Sequence, residues 1–237
     1  MFDLLLCRTA WLESYTNFDE APTGGHSYIN ENEGPAHESL NFKSDNKTGY
    51  YYAYLPHNAR FKDGVGNASI HLEKSGATRR DEYIDGITVV IVAPHPILNR
   101  LIVIGIYHDV RVYHKPQPRP DNPGIRYYIT SANIISIPSE NRYFQFPKKR
   151  EGWFPRPAGF GQNALWYGLF GPAEEPKLEN YRRRLLRYIA SLSHSPLRTP
   201  KPKNADPLSF EERLQIISTR IERRSNVRKL IETNGYC

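Results

Sequence analysis

Cysteine is scarce in this chain, with two in 237 residues: Cys7 inside an apolar run and Cys237 at the end. Two such thiols do not make a disulfide framework, and Cys7 reads as a reduced core thiol of a cytosolic protein. Long apolar runs are missing as well. Nothing approaches the roughly 18 residues of a membrane span. The opening Met1-Phe2-Asp3-Leu4-Leu5-Leu6-Cys7-Arg8 has too short an apolar stretch, an acid ahead of it and no small-residue cleavage site behind it, which argues against a secretory signal. The expectation is a soluble, cytoplasmic protein with no membrane partner.

The spacings that announce chemistry are absent too. There is no HxH, HExxH or CxxC, Gly24-Gly25 belongs to neither a GxGxxG nor a GKS/T loop, and Gly-x-Ser-x-Gly does not occur. His95 between two prolines, His26 after two glycines and His37-Glu38 near Glu31 and Glu33 are scattered groups without metal-ligand spacing, and Ser39 is near His37 only along the chain. No catalytic residue, metal or cofactor is expected. Methionine occurs once against 16 tyrosines. With 39% apolar and 12% aromatic residues, a sizeable core is available and a β-rich fold or a stacking surface is favoured over a helical bundle.

The formal charge of +7 is unevenly placed. Residues 1–144 hold 14 Lys and Arg against 16 Asp and Glu, a net of −2, whereas residues 145–237 hold 18 against 9, a net of +9. The excess sits in Lys148-Lys149-Arg150, Arg182-Arg183-Arg184 and Arg223-Arg224. Clusters of this kind suit phosphate backbones, although any one of them also suits a solvated helix face.

Residues 1–170 read as strands punctuated by Gly and Pro. They are Leu4–Leu12 with Trp11 at its far end, Gly49–Leu55, Ser69–Leu72, Ile87–Ala93, Arg100–Tyr107, Val110–His114, Tyr127–Thr130 and Ala132–Ile137. Ile87–Ala93 is almost wholly apolar, as a strand buried on both faces is. Many short β-branched strands describe a barrel or a tightly rolled sheet. Gly105, inside a strand, marks a bulge or bend. After Gly171-Pro172 the pattern turns helical, with Leu178, Tyr181, Leu185, Tyr188 and Leu192 on one face of Glu174–Leu192. A proline-bearing linker, Ser193–Pro207, follows. Ser209-x-x-Glu212 is a capping box that opens a further helix, and Ser225 caps a short last one.

Several stretches together resemble a known module. They are Trp11 with Tyr15, Gly24–Ile29, Glu38–Phe42, Gly49–Tyr54, Val92–Pro96, Ile104–Tyr107 with Val110–Tyr113, and Gly161–Tyr167. The module is the EVE/YTH-like domain of the PUA superfamily, found ahead of HNH nuclease domains in modification-dependent restriction enzymes. The tail Ser225–Cys237, ending Asn-Gly-Tyr-Cys, is similar to the lead-in of such an HNH domain, whose first zinc-ligating Cys would be Cys237. The resemblance implies an α+β fold: a twisted β-barrel with flanking short helices, followed by C-terminal linker helices. It divides the chain into a reader over 1–172, a helical and proline-rich linker over 173–224 and the start of an HNH domain over 225–237.

It also implies a function. The barrel would take a modified base of double-stranded DNA (5-methylcytosine, 5-hydroxymethylcytosine or N6-methyladenine) into an aromatic pocket on behalf of the nuclease. Extrusion costs a few kcal/mol, and stacking returns roughly 1–3 kcal/mol per base. Trp11, Tyr28 and Trp166 are the candidate walls, Asn163 and Asn41 the candidate edge readers, and Trp153 a loop residue that could stack or wedge. Lys148, Lys149, Arg150, Arg182 and Arg183 are the candidate phosphate contacts. The helices after residue 173 are candidates for a homodimer contact. An RNA-binding module, a metal-dependent nuclease with an unrecognised site and a protein-interaction domain are the alternatives.

Overall fold

A computed structural model describes residues 4–20, 22–23, 37–55, 70–72, 77–78, 80–146, 165–169 and 176–193. Seven strands form one mixed sheet: β1 Leu4–Arg8, β2 Tyr51–Ala53, β3 Tyr83–His95, β4 Arg100–Pro118, β5 Arg126–Ser131, β6 Asn133–Ser136 and β7 Leu165–Leu169. Their order is β2-β5-β4-β3-β1-β7, with β6 joined to β4. β1 and β3 run parallel, from Leu4 opposite Thr88 to Arg8 opposite Val92, and the other ladders are antiparallel.

The expected barrel is corrected by this order. β2 and β7 stand at opposite ends of it, and among the described residues they do not pair. Closure requires the two edge strands to exchange backbone hydrogen bonds, so the sheet is open. The EVE- and PUA-like barrel implied by the resemblance is therefore replaced by an α+β fold of one open mixed sheet with short flanking helices. Apolar strands buried on both faces suit a covered open sheet as well as a barrel, and here loops cover one face and a helix part of the other.

Strand limits shift for local reasons. The two strands expected on either side of His108-Asp109 are one strand of 19 residues. Asp109 takes φ 51°, a left-handed conformation that Asp tolerates better than most residues. Tyr107 still pairs with Val89 and Val110 with Ile87, so β4 carries one extra residue there, a bulge rather than a break. β1 ends at Arg8, and Trp11 lies beyond it in an isolated bridge to Thr23. Ile70 and Leu72 are buried, but residues 70–72 form no strand.

Alternation splits the core in two. Leu5, Cys7, Val89, Ile91 and Ile104 face one cluster, capped by Leu12, Tyr15, Phe42, Leu55 and Leu72. Leu4, Leu6, Val90, Val92, Val103 and Ile106 face the other, under helix α1, Pro176–Ser193. The run expected to be buried on both faces is so buried. Cys7 is fully enclosed, and burial pushes its thiol pKa well up, which leaves it unreactive. No helix among the described residues is long and apolar enough to cross a membrane.

Gly105 sits beside a register shift in the β3–β4 ladder. A Cβ there would stand 2.2 Å from the Phe42 ring and 2.9 Å from the Ile135 carbonyl oxygen. Gly105→Ala is therefore expected to cost about 1–3 kcal/mol through overpacking. Urea melts would read the loss, and a double-mutant cycle with Phe42→Leu should show coupling between the two sites. Simple additivity would place the strain elsewhere.

Candidate nucleic-acid interface

Helix α1 begins at Pro176, a residue suited to a first helical position because the N–H it lacks would find no partner there. Tyr181, Leu185, Tyr188, Ile189 and Leu192 are buried, a stripe at helical spacing. Phe144 stacks on Tyr188 with ring centroids 4.8 Å apart, and Phe146 lies 5.3 Å from Tyr181, so this face is held by aromatic contacts as well as by the sheet. With that side committed, Arg183, Arg184 and Arg187 are exposed. Arg183 donates from Nη2 to Asn180 Oδ1 at 3.1 Å. Three guanidiniums within two turns form a cationic ridge of the kind phosphates bind. Arg182, read from the sequence as a phosphate contact, is only 5% exposed; Arg184 and Arg187 join Arg183 on the outside instead.

Trp11 is 4% exposed and belongs to the first core cluster. The His95 ring lies 4.5 Å from its ring, and the Arg142 guanidinium carbon lies 5.0 Å from its centroid. Its Nε1 donates to Glu13 Oε1 at 3.1 Å. A hydrogen bond from Ser139, then the one from Trp11 and the charge of Arg142, hold the Glu13 carboxyl below its ordinary pKa against some desolvation. Arg142 donates to the carbonyls of Leu12, Glu13 and Ile137 at 2.6, 2.8 and 2.9 Å. His95 Nδ1 accepts the N–H groups of Ile97 and Leu98 at 3.2 and 3.3 Å, which ties down the β3–β4 turn. The group is a clasp at the carboxyl ends of β1 and β3, and Trp11 is a packed member of it.

Asn41 is fully buried. Its Oδ1 accepts from Tyr54 N at 2.8 Å, its Nδ2 donates to Tyr54 O at 3.1 Å, and its own carbonyl accepts from the Tyr107 hydroxyl. It pins the end of β2 to the first core cluster. Trp166 lies on β7 opposite Leu6, and its side chain is outside the described residues. Tyr28, Trp153, Asn163, Lys148, Lys149 and Arg150 lie outside them as well.

His37 and Glu38 part company in a short 3-10 helix, His37–Leu40. The His37 ring lies tilted against that of Tyr54, centroids 4.9 Å apart, its Nδ1 accepts Arg126 N at 3.3 Å, and burial lowers its pKa. Glu38 turns inward to accept Ala10 N at 3.2 Å, and burial pushes its carboxyl up to about 7. Among the described residues no group of three His, Cys, Asp or Glu could hold a metal ion.

One surface had little signal along the chain. Tyr83, Tyr113, Tyr127 and Tyr52 come from β3, β4, β5 and β2, and their rings touch in that order at 5.8, 5.7 and 4.6 Å. Arg111 lies over Tyr83 at 3.9 Å. Arg111-x-Tyr113-x-Lys115 alternates as a strand does, which is the one hint the sequence carries. The other rings are brought in by strand pairing alone.

No protein-family model matches this chain, and no curated protein or solved structure is found to match it either.

Proposed function

We propose that this chain is a DNA-binding specificity module that selects a modified base for a restriction nuclease in the cytoplasm. The observation that carries the reading is the outward ridge of Arg183, Arg184 and Arg187 on a helix whose opposite face is packed into the core. A charge excess confined to residues 145–237 thereby acquires a direction. The nuclease and the modified base come from the resemblances in sequence, the tail Ser225–Cys237 among them. In this reading the ridge grips phosphate, which positions the duplex, and aromatic side chains supply discrimination.

The test is equilibrium binding to one duplex in four forms: plain, or carrying 5-methylcytosine, 5-hydroxymethylcytosine or N6-methyladenine, each at two salt concentrations. The expected result is tighter binding to one modified form. Arg183→Ala with Arg187→Ala should weaken all four alike and lower the salt slope by about 1 for each phosphate that is no longer neutralised. Equal affinity for the four forms would sink the modified-base reading. Absence of salt-dependent binding to any of them would sink the nucleic-acid reading.

A further inference from the structure

Ile84 and Val112 point into the first core cluster, so Tyr83, Arg111 and Tyr113, their neighbours along the strands, point to the opposite face of the sheet. That is the face on which α1 packs, over β1 and the adjoining halves of β3 and β4. The half toward β2 carries the four tyrosines and Arg111. We propose that this half is a stacking platform for unpaired nucleobases, an inference that rests on the reading of the chain as a nucleic-acid binder.

Three observations argue for bases over another occupant. Across four adjacent strands the row runs from Tyr83, 42% exposed, and half-buried Tyr113 to buried Tyr127 and Tyr52, so a ligand meets the first two rings and the last two support them from below. Arg111 is held over Tyr83 by a two-point pair with Asp85, Nε to Oδ1 at 2.8 Å and Nη2 to Oδ2 at 3.0 Å. Its ordering is therefore complete before anything binds, which lowers the cost of binding. A guanidinium plane beside aromatic faces is the surface on which unpaired bases stack. Finally, Lys115, two residues beyond Tyr113 on β4, is exposed, and the arginines of α1 are carried by an element on the same face. Cations around an aromatic floor suit bases joined by phosphates, whereas an apolar protein surface would be matched by aliphatic side chains. The unpaired base has two sources, a single strand or a duplex with one base out of the stack.

Fluorescence anisotropy separates the cases. The probes are a labelled single-stranded dT12, the corresponding abasic 12-mer with the same phosphates, and a duplex with one central mismatch beside its matched form. The wild-type chain should bind dT12 or the mismatched duplex at least about tenfold more tightly than its base-free or matched counterpart. Tyr83→Leu with Tyr113→Leu keeps apolar area but removes the rings and should erase that preference. Tyr83→Phe with Tyr113→Phe should restore it. Equal wild-type affinity within both probe pairs overturns the proposal without any variant having to fold. So does a preference that survives in a folded Leu pair, or a dimer seen by gel filtration that the Leu pair dissociates. If matched duplex still binds through Arg183 and Arg187, only this platform fails. If no probe binds, the functional reading fails with it.

Discussion

Arg119→Ala is expected to destabilise this protein by about 2–4 kcal/mol. A typical domain is stable by about 5–15 kcal/mol, so the loss would take much of the margin. The side chain is 1% exposed, yet it is the hub of a polar knot. Nη1 donates to the carbonyls of Leu40 and Tyr52 at 3.1 and 3.2 Å, Nη2 to that of Lys43 at 2.8 Å, and Nε to Asp121 at 2.6 Å. These acceptors belong to the 3-10 helix, the turn after it, edge strand β2 and the loop after β4. Truncation takes a donor from the carbonyls of Tyr52 and Lys43, whereas Leu40 O keeps the N–H of Lys43 and Asp121 is open to solvent, and unmet buried groups cost more than the bonds contributed. Arg119→Lys should recover only part, because an ammonium cannot reproduce the planar fork. Urea melts would read the loss, and hydrogen exchange should show Tyr51–Ala53 opening first, since the clamp holds that edge. A variant as stable as wild type would mean that water replaces the guanidinium and that the knot is not closed.

Glu38→Gln should instead raise stability, by about 3 kcal/mol at pH 8 and not at all at pH 4. Burial is the main cause of the high carboxyl pKa of about 7, against 4.5 for an ordinary Glu, and the Ala10 amide offsets it only in part. Below 4.5 the folded and unfolded chains both hold the proton, and the group costs nothing. As the pH rises from there the unfolded chain releases its proton first, and stability falls until the folded form also ionises near 7. A glutamine is neutral throughout and still offers a carbonyl oxygen to Ala10 N. The difference between wild-type and variant urea midpoints, measured from pH 4 to 8, isolates this group from every other titration. A constant difference would mean that Glu38 titrates as it does in the unfolded chain.

How far each element was legible follows from the range of the forces that shape it. The α1 stripe through Tyr181, Leu185, Tyr188 and Leu192 and the doubly buried run of β3 are periodic patterns over a few turns or pleats, and both were readable. Burial of Cys7 followed from its apolar neighbours. Asn41 was a candidate reader of a base edge, and only the fold brings it against Tyr54, 13 residues on, where its amide is spent on backbone hydrogen bonds. Trp11 was a candidate pocket wall, and its packing against His95 and Arg142, from elements far along the chain, has no local signal.

By itself, then, the sequence determined the local periods, the placement of charge and the absence of metal-ligand spacings. Tertiary structure alone decided that the sheet stays open, because closure depends on which edges meet and not on how apolar each strand is. It alone turned Arg182 inward and left Arg183, Arg184 and Arg187 outside. It assembled the Tyr83–Tyr52 row from four strands, and it gave Arg119 and Arg142 acceptors 79 and 130 residues away. A buried guanidinium must find its partners wherever the fold places carbonyls, and nothing in the neighbouring residues of a chain can say where that will be.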